Sequence, residues 1–289
     1  MPFYGRFDHF QRAVESVLAQ DDQDWKLTIV DDLYPDAAPG EWAKAIDDPR
    51  IEYRRNPVNL GVSRNYLHCV DLMQGEHSVL FGCDDVMLPG YVSRVRELLD
   101  RYPAASVIQV GVEVVDQDGR VYRPLVDRSK DRYRFDGTGV RLYSGEALAV
   151  SLLRGNWTYF PSLVWRVDLL REYGFNPDLD VVQDLIMLLD ITAGGGTLVL
   201  DDRVVFQYRR HSTSVSSATA VDGSRFVQER ALFAAQAERF ERLGWKRAAA
   251  AARLHLSSRL NALTRLPTAL RQGRLAGVGS LLRHALGPA

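Results

Sequence analysis

The sequence predicts an α/β protein: a doubly wound mixed sheet with a helical appendage at its C-terminal end. Three observations carry this prediction. Short apolar runs alternate with amphipathic helical patterns through the first hundred residues, as in a parallel sheet wound with helices. Two of those runs end in adjacent carboxylates, Asp31-Asp32 and Asp84-Asp85, and the ends of strands are where open α/β sheets bind ligands. From Arg225 onward the pattern is helical. The expected division is a sheet domain over residues 1–220 and the appendage over 221–289.

A chain of 289 residues is long enough for one large α/β domain with such an addition. Its 46% hydrophobic and 25% charged content is that of an ordinary soluble globular protein. A net charge of -1 gives no global argument for nucleic-acid binding, and no nucleic-acid partner is expected. Two cysteines, Cys69 and Cys83, are too few for a disulfide framework or a thiolate zinc site, so a reducing, cytoplasmic setting is expected. No apolar run approaches the ~20 residues that span a bilayer. The first residues show no basic region followed by an apolar one, so no signal peptide is expected.

Asp8 and Gln11 read as a capping box, and Phe10, Ala13, Val14, Val17 and Leu18 share one face of a first helix that should stop near Gln20. Residues 27–30 form a buried strand, and residues 51–55 form another after a turn-rich segment and a short helix around Trp42 and Ile46. Gly61 relaxes the backbone and Ser63 is placed to cap the next helix, whose apolar face is Val62, Tyr66, Cys69, Val70 and Met73. The run 78–81 is the strand that leads into Cys83-Asp84-Asp85, and Tyr91, Val95, Leu98 and Leu99 line the helix after Pro89-Gly90. Residues 106–115 form a long strand, and Asp118-Gly119 signals a hairpin, so antiparallel strands should join the sheet. A domain of this kind should begin with a strand. Only a few residues precede the first helix, so the expected first strand is either missing or lies upstream.

Further on, residues 123–143 read as a polar loop, 144–154 as a short helix and 156–162 as an aromatic loop before a strand at 163–166. An apolar helix opens at residues 181–189 with Asp184 in its first turn. Strands at 197–200 and 204–208 precede a basic, hydroxyl-rich loop over 209–216.

Adjacent carboxylates at one strand end repel unless a cation or basic group sits between them. A hard divalent metal carrying substrate phosphates answers that need. A turn that caps the following helix is the plainer reading of the same residues.

Taken in order, these segments resemble the family 2 glycosyltransferases of the GT-A fold, over roughly the part of the chain that precedes residue 215. Pro2-Phe3-Tyr4-Gly5-Arg6 resembles the family's segment after its first strand, and residues 14–20 resemble the end of its first helix. Ile29-Val30-Asp31-Asp32 matches its Val-Asp-Asp strand end, and Asn59 to Asn65 matches its Asn-x-Gly region shortened by one residue. Cys83-Asp84-Asp85 resembles the metal-binding Asp-x-Asp segment, and Gln183-Asp184 resembles the Glu-Asp pair that supplies the base. Two residues depart from the pattern: Gly82 stands where many members have an aspartate, and Gln183 replaces the usual glutamate.

The resemblance implies transfer of a sugar from a UDP, dTDP or GDP sugar to an acceptor hydroxyl, with inversion and a divalent metal, Mn2+ or Mg2+. It implies nucleotide-sugar contacts from Pro2, Phe3, Tyr4, Arg6, Asp31, Asn59, Gly61, Arg64, Asp84 and Arg210. Asp85 and His211 would serve the metal, and Asp184 would be the general base. Trp157 and Tyr159 would stack on a sugar of the acceptor. Each has a plainer counterpart: a cap for Asp31, first-turn charge for Asp184, a solvated loop for His211, core packing for Trp157 and Tyr159.

Two other readings compete with this one. A sugar-phosphate nucleotidyltransferase would want a glycine-rich basic loop near its start, and residues 1–20 have none. A donor-binding or partner-binding subunit without turnover is kept open by the missing first strand. The tail carries Arg253, Arg259, Arg265, Arg271, Arg274 and Arg283 and no carboxylate, which suits a peripheral contact with an anionic membrane, a homodimer contact or a solvated appendage.

Overall fold

Three short parallel strands open the chain: β1 (Pro2–Phe3), β2 (Leu27–Asp31) and β3 (Ile51–Arg55), with β2 in the centre. The computed structural model describes residues 1–123, 125–130, 133–134, 137–176, 179, 182–210, 224–273 and 275–287. Pro2 pairs with Val30 and Phe3 with Asp31, so a two-residue strand lies beside β2, where the first strand was expected to be missing or to lie upstream. Two residues are too few to show a period-2 pattern, which is why the sequence conceals it. The ladder does not continue from β1 into the next strand, so the pairing falls into two sheets rather than one continuous sheet.

The second sheet has the order β4-β8-β6-β9-β5, where β4 is His77–Val79, β5 Val86–Met87, β6 Val107–Val115, β8 Leu163–Arg166 and β9 Thr197–Arg209; β7 (Arg141–Ser144) also pairs with β9. Only β6 and β9 run parallel within it. The two strands expected between residues 197 and 208 are one strand. Its register slips opposite Gly111, where a Cβ would collide with the backbone of Asp202 and Arg203.

Helices α1 (Phe7–Leu18), α2 (Ala38–Lys44) and α4 (Tyr91–Arg101) cover one face. Helices α3 (Val62–Asp71), α6 (Gly145–Arg154), α7 (Val167–Tyr173) and α8 (Gln183–Ala193) cover the other, and α5 (Leu125–Lys130) follows β6. Strand residues alternate between the two cores: Ile29, Ile108 and Val199 face the first, and Val30, Val107, Leu198 and Leu200 face the second. Burial on both faces explains why these strands read as unbroken apolar runs. Each large side chain so buried contributes about 1.5–3 kcal/mol.

Two expected caps are absent. Arg6, not Asp8, precedes α1, and α3 starts after Gly61, with Ser63 already inside the helix. Beyond α8, helices α9 (Ser224–Arg242) and α10 (Lys246–Leu254) pack Phe233, Phe240, Ala248 and Ala252 into the second core. Helices α11 (Leu256–Arg271) and α12 (Leu275–Leu286) form a small cluster of their own with Phe226. No described helix is long and apolar enough to cross a membrane.

Candidate active site

The ends of β2 and β3 hold the first carboxylate pair. Asp31 is fully buried; Oδ1 accepts the Tyr34 amide at 2.7 Å, Oδ2 accepts the Tyr53 hydroxyl, and the Arg55 guanidinium lies 3.5 Å away. Asp32 organises the next loop. Its Oδ1 accepts Asn56 Nδ2 at 2.9 Å and the Leu60 amide at 2.8 Å, and its Oδ2 accepts the Gly61 amide at 2.9 Å. Asn59 Nδ2 donates to the Asp32 carbonyl at 2.9 Å, and Gly61, at φ 76°, takes a conformation that favours glycine. Asn59 and Gly61, expected to touch the donor, therefore also fasten this loop to the strand end.

The second pair follows β4. Asp85 is buried, and its Oδ1 accepts the Arg209 amide at 2.8 Å because β5 pairs with the end of β9. Its Oδ2 is buried with no hydrogen-bond partner among the described residues. Burial, and then the Asp84 charge, push the Asp85 carboxyl well above the ordinary carboxylate range, against the Arg209 amide and guanidinium. Gly82 leaves the space that Asp85 needs. A Cβ there would collide with Asp85 Oδ2 and come within 3.1 Å of Asp84 Oδ1. Glycine at this position thus goes with a particular placing of the two carboxylates. The Arg209 guanidinium braces the turn, donating to the Asp84 carbonyl at 2.7 Å and the Asp116 carbonyl at 2.9 Å.

A buried, unpartnered carboxylate oxygen beside a second carboxylate suits a hard cation. No group of three or more His, Cys, Asp or Glu side chains gathers to hold one among the described residues. A metal there would need further oxygen ligands, which substrate phosphates supply. His211 lies outside the described residues.

Asp184 stands in the first turn of α8, half-buried, and its Oδ2 accepts Asn156 Nδ2 at 2.6 Å. Val182, just before the helix, has φ 61°, a left-handed conformation costly for a β-branched residue and of a kind that clusters at functional sites. Gln183 is buried and donates to Ser63 Oγ and the Leu179 carbonyl, both at 2.7 Å. The hydroxyl expected to cap α3 instead joins the start of α3 to the start of α8.

Arg210 and Tyr159, both expected at the site, belong to a cluster with Asp127 and Lys130, which the sequence did not single out. Buried Asp127 of α5 accepts Arg210 Nη2 at 2.7 Å and the Tyr159 hydroxyl at 3.0 Å. Burial raises its pKa, but the Arg210 and Lys130 cations outweigh this and hold it below the usual range. Lys130 Nζ donates to the Thr158 carbonyl at 2.9 Å, 3.6 Å above the Tyr159 ring. Burial lowers its pKa to about 8, opposed by the charges of Asp127 and Asp184. Tyr208 lies 5.3 Å from the Tyr159 ring, and burial, then the Asp85 charge, raise its pKa.

Several expected contacts are repositioned. Trp157 is buried in the second core, with its indole N–H donating to Ser151 Oγ at 3.0 Å, so it presents no face to a sugar. Tyr159 has Lys130 over its ring. Arg210 is paired with Asp127 rather than facing an open diphosphate site. The Phe3 side chain is fully buried, and Pro2 serves the β1 ladder. Tyr4 is exposed with its ring edge-on to Tyr34, and Arg6 is exposed and paired with Asp8. Arg64 is exposed and makes no ion pair among the described residues.

A mixed sheet covered on both faces, with carboxylates at its strand ends and at a helix start beside them, defines an α/β protein with a polar crevice. The chain belongs to glycosyl transferase family 2, whose family model matches residues 1–151. It is 27% identical over 223 residues to the succinoglycan biosynthesis protein ExoO of Rhizobium meliloti, covering 76% of this chain and 62% of that one. It is 30% identical over 105 residues to the abequosyltransferase RfbV of Salmonella typhimurium, covering 35% of this chain and 31% of that one. The chain thus spans less than two thirds of either relative. The crystal structure of S. aureus TarS 1-349 in complex with UDP-GlcNAc superimposes with a TM-score of 0.70 at 14% identity, covering 98% of this chain and 80% of that one. The UDP complex of the same protein gives 0.59 at 12% identity, with 98% and 88% covered. The fold is GT-A.

Proposed function

We propose that the protein is an inverting glycosyltransferase that moves a sugar from a nucleoside-diphosphate sugar to an acceptor hydroxyl in cell-envelope polysaccharide or glycolipid synthesis. Family membership and the names of the relatives support the class of reaction. The observation that carries the site is the buried Oδ2 of Asp85, unpartnered among the described residues, beside Asp84.

Asp31, Asn59, Gly61 and Arg64 would border the nucleotide with the segment from Pro2 to Arg6, and Asp84 would lie nearer the ribose. Asp85 would hold Mn2+ or Mg2+. Such an ion supplies positive charge to the departing diphosphate. Asp184 takes the proton of the acceptor hydroxyl as that oxygen bonds to the anomeric carbon. The bond from that carbon to the diphosphate oxygen breaks with its electron pair on the leaving group. Asn156 fixes the Asp184 carboxylate, and the start of α8 stabilises its charge.

The test begins with a thermal-shift screen of UDP, dTDP and GDP sugars with manganese or magnesium, because a saturating donor raises the melting temperature by mass action. With the donor in hand, Asp184→Asn is expected to keep donor affinity and lose ~10²–10⁴-fold in turnover. Full transfer by Asp184→Asn would remove the base from this residue. Loss of donor binding with unchanged turnover at saturation would make Asp184 a donor contact instead.

A further inference from the structure

Helix α11 is turned inside out. The residues it buries are small: Ser258, Ala262 and Ala269. Four of its five leucines face solvent, with Leu256 52% exposed, Leu260 49%, Leu263 38% and Leu270 59%, while Leu266 packs on the small cluster. Their spacing of four, three and seven residues puts them on a single stripe of the helix. Exposed leucines scattered singly are ordinary, but a continuous stripe of them on a helix marks a surface that something covers.

The charge around the stripe says what kind of surface. Nine of the chain's 36 Lys and Arg residues, and none of its 37 Asp and Glu, follow Glu241. A chain of net charge -1 therefore divides into a body of -10 and a tail of +9. Lys246, Arg247, Arg271 and Arg283 are exposed and make no ion pair among the described residues. Leu256 also lines a 400 Å³ groove between α6 and α10, together with Leu254, Ala250, Val150 and the cations Arg154 and Arg247, which make no ion pair among the described residues. Glu146, which could offset them, is engaged in capping α10 through the Arg247 and Ala248 amides.

We propose that α11 and this groove form a docking surface for an anionic lipid bilayer. The leucine stripe enters the headgroup boundary, and the arginines take lipid phosphates. A parallel-faced second copy would bring two tails of like charge together. A nucleic acid would engage the cations and leave the leucines wet. A bilayer with anionic headgroups satisfies both, because apolar area and surface charge add in the binding of an interfacial helix. Each cation near such a surface strengthens binding about fivefold. The inference goes beyond the catalytic reading, and its test contains no sugar donor, so either can fail alone.

The test sediments the full chain with vesicles of phosphatidylglycerol and phosphatidylethanolamine, and with phosphatidylcholine vesicles, in 0.1 M salt. Binding to the anionic vesicles only is expected. Leu256→Ser, Leu260→Ser and Leu263→Ser together should weaken it at least about tenfold, since three leucines lose their transfer into the boundary. The melting temperature should hold, because these side chains are already in water. Arg154→Glu with Arg247→Glu should weaken binding by about tenfold or more, and serves if the leucine variant folds poorly. No sedimentation with anionic vesicles overturns the proposal. So does binding indifferent to the leucines, which would mean a polyanion site, or self-association in light scattering that the leucine variant abolishes, which would mean a second copy.

Discussion

Asp31-Asp32 and Asp84-Asp85 are alike in sequence and opposite in state. Both end apolar runs at the crevice side of a sheet. The first pair is saturated: the Asp32 carboxylate alone accepts from Asn56, Leu60 and Gly61. The second pair keeps a buried oxygen of Asp85 without a partner. The difference arises from what the chain places opposite each pair. A loop rich in amide donors folds over the first. Among the described residues, the Arg209 amide reaches the Asp85 carboxylate of the second. The first pair is therefore a device for holding a loop, and the second a device with room for something further.

The largest effect should come from breaking the second pair. Asp85→Ala is expected to weaken manganese-dependent UDP binding by at least roughly a hundredfold, since even outer partners of metal ligands are worth ~10–100-fold. Its metal-free melting temperature should hold or rise, because a buried, poorly paired carboxyl is removed. Calorimetry and melting on the same sample check both halves. Equal UDP affinity would remove the metal from Asp85, and a large drop in melting temperature would make this pair as structural as the first.

Asp32→Ala should do the opposite. It leaves three donors without their acceptor, two of them backbone amides, and should cost ~3 kcal/mol, each buried unmet donor being worth ~1–3 kcal/mol. In a chain of this size that is a fall of roughly 6–12 °C in melting temperature. Donor affinity should fall as a consequence, with Asn59 and Gly61 released. A variant as stable as the parent would show that the loop holds itself.

The sequence made the two pairs visible because adjacency and apolar periodicity are local. It also placed Asp184, for the same reason: an apolar helix must be buried, and a carboxylate in its first turn is held where the sheet ends. What it hid is long-range. Asp127 and Arg210 meet across 83 positions, and Arg209 meets the Asp84 carbonyl across 125, from segments with no periodic pattern. Trp157 sits in a segment that reads as an aromatic loop, yet it is core, with Ser151 satisfying its indole N–H. The two-residue β1 is hidden by shortness alone.

The smallest effect asks whether an unpartnered buried atom is by itself the mark of a site. His284 of α12 is buried with Nδ1 unpartnered, far along the chain from either aspartate pair, while its Nε2 meets Ser258 Oγ at 2.6 Å. Nothing opens onto it: the rings of Phe226 and His255 each lie 5.1 Å away, and Ser258 also meets Glu229. Burial lowers its pKa from 6.5 to about 4, against the Glu229 charge and with help from His255, Arg230 and Arg259. Between those values the unfolded chain takes up a proton that the folded chain refuses. The stability this group contributes is therefore whole above pH 6.5 and is lost as the pH falls through the folded value. The loss should be about 1 kcal/mol by pH 5.5. Thermal melts from pH 7 to 4.5 should show a falling limb that is shallower in His284→Leu, with His255 supplying the rest because burial lowers it too. An unchanged limb in the variant would put the acid sensitivity elsewhere. A shallower one would show that the orphan atom in α12 is a packing cost paid in proton uptake. Asp85 differs from it in standing beside a second carboxylate, with a glycine, Gly82, where a Cβ would collide with its Oδ2.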